Sequence, residues 1–291
     1  MKSPLSKLSN LGQRVIAGLI GAGMLVGAIY SGAWSFFLLF LLIALLSQWE
    51  FYTLLMKAGY KPMRLWGCLL GIGIVTGVVF GSEIVQNSDF LLLWYIVPCL
   101  AFLSFVGKLY DKDDKQPFLN LAFTFLGVLY VAFSWALFIQ TAFVKQAPQA
   151  AGWLLNKSTY TYQVPLGIFF ILWANDSGAY FVGKAFGKKK LFERVSPKKT
   201  WEGSIGGFVL ATIVAAMLAI YFTHLASWKW YVLGVIITIA GTYGDLVESL
   251  LKRRTQVKDS GSVIPGHGGF LDRFDGLLLA APFIALFLRL F

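Results

Sequence analysis

Asp245, Glu248, Ser249 and Lys252 fall at i, i+3, i+4 and i+7, so an α-helix sets all four on one face. Two acids on one face repel each other and are costly to bury unless a cation lies between them. The stretch KDSGSVIPGHGGFLDRFDG, residues 258–276, follows and ends on Asp272, Arg273 and Asp275. Its core, Pro265-Gly266-His267-Gly268-Gly269, reads as a flexible hairpin that lets backbone approach a ligand and folds Asp272 back beside Asp245. Carboxylates brought together in this way suit Mg²⁺, which binds a few carboxylates along with phosphate oxygens and water. His267 reads as a turn cap or a ligand contact. With no second His or Cys near it, zinc is not expected.

Two further polar islands stand upstream. Asn175 and Asp176 interrupt an apolar run near its middle. A charged group at that depth costs roughly 2.5–3.5 kcal/mol on insertion scales. Asp176 is either a pin to a neighbouring helix or a functional carboxylate lining a polar cavity, and the cost favours the second. In ERVSPKKTWEGSIGG, Ser196-Pro197 predicts a helix start, with Ser as N-cap and Pro at the first helical position. Lys198 and Lys199 would then lie in the first turn, where cations oppose the helix dipole. With the free backbone N–H groups there, they would form an anion site. For Lys188, Lys189 and Lys190, a basic loop that merely sets topology is the rival reading.

Long apolar segments must position these islands. The chain of 291 residues is 57% hydrophobic and 13% charged, against about 25% charged in soluble domains. Apolar runs of about 18 residues or more can cross a bilayer, and lipid permits only helices or closed barrels. The sequence predicts an all-α polytopic membrane protein with about nine spans, near 14–31, 33–55, 65–82, 89–107, 118–143, 164–185, 204–223, 229–251 and 273–290. The fifth is long enough to be tilted or split. With the N-terminus cytoplasmic and the C-terminus outside, all but Lys145, Lys157, Lys229 and Arg289 of the 25 basic residues face inward. The net charge of +11 is therefore chiefly a topology signal, with some hold on anionic lipids and none on nucleic acid. The basic lead and apolar run at the start suit a first span better than a cleaved signal.

Residues 1–143 read as a transmembrane scaffold and 144–291 as a catalytic transmembrane region of the same unit. Gly-x-Gly patterns in GAGMLVG and GIGIVTG lie inside spans and suit close helix packing. Cys68 and Cys99 lie in apolar runs and read as small buried hydrophobes. His224, on the opposite face, reads as interfacial.

Ser249-x-x-Lys252-Arg253, Lys258-Asp259 and Pro265-Gly266-His267-Gly268-Gly269-x-x-Asp272-Arg273-x-Asp275 together resemble the signature of phosphatidate cytidylyltransferases (CDP-diacylglycerol synthases). Ser196-Pro197-Lys198-Lys199-Thr200-x-Glu202-Gly203 and Asp176-Ser177-Gly178-Ala179-Tyr180 are similar to that family as well. The resemblance implies that phosphatidate and CTP become CDP-diacylglycerol and pyrophosphate with Mg²⁺. It implies Asp245 and Asp272 as metal ligands, a monovalent cation such as K⁺ alongside, and a homodimer. Asp176 and Glu248 are expected as further ligands or as residues that orient them. Catalytic roles are expected at Asp245, Asp272, Lys258 and Arg273. Substrate contacts are expected at Ser196, Lys198, Lys199, Thr200, Glu202, Ser249, Lys252, Arg253, Asp259, His267, Gly268, Gly269 and Asp275. A bacterial inner membrane, with the site facing the cytoplasm, is the expected location. The rival readings are a CTP-dependent lipid kinase, a cytidylyltransferase for another lipid phosphate, and, from a different class, a secondary transporter.

Overall fold

The computed structural model describes residues 10–84, 91–143, 160–255, 257, 260–261 and 268–291. Among these the chain forms nine helices: α1 (Asn10–Ser31), α2 (Ala33–Lys57), α3 (Arg64–Ile84), α4 (Leu91–Leu109), α5 (Pro117–Gln140), α6 (Gln163–Phe186), α7 (Trp201–Tyr221), α8 (Ser227–Arg254) and α9 (Leu271–Leu290). Five of them, α2 and α5 to α8, are long and apolar enough to cross a bilayer. The chain is a multi-pass helical membrane protein. The long fifth helix carries a π-helical turn at Val128–Phe133, an irregularity that re-aims the side chains on either side of it.

The expected helix start at Ser196 is not what forms. Ser196–Thr200 is a strand, β2, paired antiparallel with β1 (Lys190–Phe192), with Lys190 opposite Thr200 and Phe192 opposite Ser196. The helix begins at Trp201, where the Thr200 hydroxyl accepts the Gly203 N–H at 3.1 Å as the N-cap. A two-stranded ribbon is all edge, so the missing N–H of Pro197 is tolerated there. Lys198 and Lys199 therefore leave a strand in alternate directions: Lys198 is exposed and Lys199 half-buried.

The closest helix packing is between α6 and α7, and between α8 and α9. Both contacts run backbone to backbone. A methyl group on Gly178 of α6 would meet the Gly206 carbonyl of α7 at 2.6 Å. One on Gly244 of α8 would meet the Asp275 carbonyl of α9 at 2.5 Å. Small residues permit this approach in lipid, where close contact and not water exclusion joins helices. An aromatic core locks the rotation of the helices. Phe40 of α2 stacks on Phe169 of α6 at 5.8 Å, and Trp135 of α5 meets Phe274 of α9 edge-on at 5.0 Å. With Leu271, Phe274 and Leu278 turned into this core, Asp272 and Asp275 must face elsewhere on α9.

A polar knot ties the loop after α4 to the one before α3. Lys108 pairs with buried Asp114 at 2.5 Å, Asn120 donates to Asp114 at 2.6 Å, and the Lys61 N–H donates to Asn120. Burial disfavours the charge on Asp114, yet Lys108, the Gln116 N–H and Asn120 hold its carboxyl below the usual carboxylate range.

Gly178→Ala should force α6 and α7 apart and lower stability by about 1–3 kcal/mol. Gly77→Ala, which would meet no atom within 4 Å, should leave the thermal unfolding midpoint of the solubilised protein in place. Equal midpoints for the two variants would show that the close α6–α7 contact is not needed.

Candidate active site

Three helix segments and the β-hairpin converge on one group of charges. On α8, the i, i+3 spacing sets Asp245 and Glu248 on the face turned to α9. On α9, Asp275 follows the first turn. The Gly244–Asp275 contact draws these stretches together, and one carboxylate oxygen each of Asp245, Glu248 and Asp275 lies within 4.8 Å of the others. Glu248 is 1% exposed. Its Oε1 is buried and accepts no hydrogen bond among the described residues.

Cations flank the acids. Lys199 reaches across from β2 to Asp245 at 2.6 Å and to the Thr242 carbonyl at 3.4 Å. Lys252, one turn after Glu248, lies 2.8 Å from Glu248 and 2.8 Å from Asp272. Ser249 donates to Asp245 at 3.2 Å. Asp176, on α6, is exposed and faces the charges of Lys199, Asp245 and Arg273. Arg273 is exposed, as are Lys198 and Arg253, and none of the three forms an ion pair among the described residues.

Asp272, expected as a metal ligand, is tied to backbone and to Lys252. Its carboxylate accepts the backbone N–H of Ser260 at 3.0 and 3.2 Å and of Gly269 at 2.8 Å, and it pairs with Lys252. It abuts Glu248, but the three oxygens gathered within 4.8 Å belong to Asp245, Glu248 and Asp275. Asp275, expected as a substrate contact, thus stands with Asp245, and Asp272 sits one turn earlier on α9. Gly268 has φ +83°, which favours glycine, and turns the chain into α9.

Other expected contacts are engaged in building the hairpin. Glu202 accepts the N–H groups of Lys188 and Lys189 at 3.1–3.2 Å. Thr200 is buried as the α7 cap, and Ser196 pairs with Phe192 in the ribbon. Lys258, Asp259 and His267 lie outside the described residues. One residue escaped the sequence reading: Glu50 of α2, in the half expected to be scaffold, contacts Ser260 and the Leu271 N–H. An acid inside the apolar run SQWEFY was the signal for it.

A family model described as "Cytidylyltransferase family" matches residues 12–291. The chain belongs to this family. Its relatives include proteins called phosphatidate cytidylyltransferase. The one from Bacillus subtilis is 47% identical over 127 residues, 42% of this chain and 45% of the relative. The one from Haemophilus influenzae is 36% identical over 223 residues, 71% of each chain. The one from Staphylococcus aureus is 34% identical over 208 residues, 71% of this chain and 70% of the relative. The family match runs through α2, which carries Glu50, as well as through the helices that carry the acids.

Lys252→Met would strand Glu248 and Asp272 in a site only 16% open at the lysine side chain. Removing one partner of a buried pair costs about 3–5 kcal/mol, so the unfolding midpoint in detergent should fall sharply. A midpoint equal to that of the unmodified chain would mean the lysine neutralises neither acid.

Proposed function

We propose that the chain transfers the cytidylyl group of CTP to phosphatidate, giving CDP-diacylglycerol and pyrophosphate. A phosphatidate phosphate oxygen attacks the α-phosphorus of CTP, the bond from that phosphorus to the bridging oxygen breaks, and pyrophosphate leaves with that electron pair. The nucleophile is already anionic, so no general base is required. The barrier is repulsion between two polyanions, which positioning and charge neutralisation lower. The observation that carries this reading is the convergence of Asp245, Glu248 and Asp275 beside Lys199 and Lys252, in a chain whose relatives bear the name of this reaction.

The three carboxylates fit a divalent cation of the Mg²⁺ class. They offer oxygens only, they converge from two helices, and Oε1 of Glu248 accepts no hydrogen bond among the described residues. When bound there, the ion would supply charge neutralisation at the phosphates. The chain's own residues do the rest. Lys199 and Lys252, held by acids in the resting site, are placed to turn to phosphate oxygens once those acids are engaged. Arg273, exposed at the head of α9, offers the planar fork that suits bidentate phosphate contact. Lys252 holds Asp272, and with it the α9 end, against α8. The acyl chains stay in the bilayer, so the lipid enters sideways between helices and CTP arrives from water. Nine spans with the basic loops inward would place the site at the cytoplasmic leaflet.

The test is purified chain with CTP, phosphatidate and MgCl₂, scored for pyrophosphate and a cytidine-linked lipid. Phosphorylated lipid with release of CDP would identify a kinase instead. Asp245→Asn and Asp275→Asn should each reduce turnover by more than the roughly 10–100-fold typical of residues that merely support a site. Both should still yield inserted protein. Full turnover in either would overturn the carboxylate assignment.

A further inference from the structure

Glu50 is 5% exposed, inside the bundle on α2, and forms no ion pair among the described residues. Burying a carboxylate costs several kcal/mol unless specific partners offset it. Its contacts are specific. Oε2 accepts the Ser260 hydroxyl at 3.2 Å and the Leu271 N–H at 2.9 Å. Leu271 opens α9, whose own N-terminal residue provides no side-chain cap. A side chain from another helix therefore does the capping, through an acceptor oxygen.

Ser260 links this contact to the site. Its hydroxyl is held by Glu50 while its N–H donates to both oxygens of Asp272. The glycines around the contact leave room for it. A methyl group on Gly269 would fall 2.2 Å from Glu50 Oε2, and one on Gly261 would fall 2.6 Å from Oε1. Gly269 in turn donates to Asp272 at 2.8 Å. Glu50 thus fixes Ser260, Gly269 and the first turn of α9, and through them Asp272 and Lys252.

We propose that Glu50 is a positioning residue for the reaction, one that acts through Ser260 and the α9 N-terminus to hold Asp272 in register with Glu248 and Lys252. The proposal rests on the cytidylyltransferase reading of the site. It assigns the work to Oε2 as an acceptor and not to the negative charge. Glu50→Gln keeps an acceptor oxygen at the same reach and should stay within a few-fold of the unmodified chain. Glu50→Ala should lower kcat by about 10–100-fold, with a smaller change in the KM for CTP. Ser260→Ala should fall between them, and the Glu50→Ala/Ser260→Ala double variant should be no worse than Glu50→Ala, because both break one chain of contacts.

Hydrogen exchange in detergent without substrate gives a second readout. Glu50→Ala should speed exchange at residues 269–272 and leave the core of α6 and α7 unchanged, whereas Glu50→Gln should not speed it. Normal kcat in Glu50→Ala, additive losses in the double variant, or a Glu50→Gln as inactive as Glu50→Ala would each overturn the proposal. If the unmodified chain forms no cytidine-linked lipid, the reaction assignment fails, and the exchange pattern alone judges Glu50.

Discussion

Carboxylates gathered in an apolar bundle need positive charge close at hand, and that need organises this protein. One carboxylate oxygen each of Asp245, Glu248 and Asp275 lies within 4.8 Å of the others, and Asp272 also abuts Glu248. In a medium of low dielectric such crowding is tolerable only with cations or protons among the acids. Lys199 and Lys252 supply two charges, each by a contact of 2.6–2.8 Å. One oxygen of Glu248 accepts no hydrogen bond among the described residues. Four carboxylates thus face two lysines, an excess of negative charge of the kind that the proposed divalent ion would offset.

The surrounding fold holds that arrangement in place. Backbone contact at Gly244 and Asp275 sets the separation of α8 and α9, and the Trp135–Phe274 pair sets the rotation of α9. Neither uses a charged side chain, so the charged groups of the site are paired with one another and not spent on joining these helices. The β-hairpin performs a different task. Glu202 and Thr200 bind its backbone and cap α7, which leaves Lys199 as the residue it extends toward the acids.

The helical architecture was legible because lipid leaves the backbone no alternative, and each predicted span corresponds to a helix among the described residues. The one-sided spacing of Asp245, Glu248, Ser249 and Lys252 was legible for the same reason: a helix has a fixed period. Ser196-Pro197 misled, because a Ser-Pro pair suits a helix start and an edge strand equally, and the pairing of Lys190 with Thr200 that decides between them is a contact across the hairpin. That a carboxylate oxygen of Asp275 lies within 4.8 Å of one of Asp245 depends on the rotation of α9. That rotation is fixed by Phe274 against Trp135 of α5, a long-range contact with no local trace. Glu50 was hidden likewise, since its partners lie more than two hundred residues away in sequence.

The bridge from Lys199 to Asp245 spans two separate elements, the ribbon and α8. A ligand that recruited the Asp245 carboxylate would compete with that lysine for it and would loosen one tie between ribbon and bundle. Occupancy would then be read as a change of tethering between the ribbon and α8.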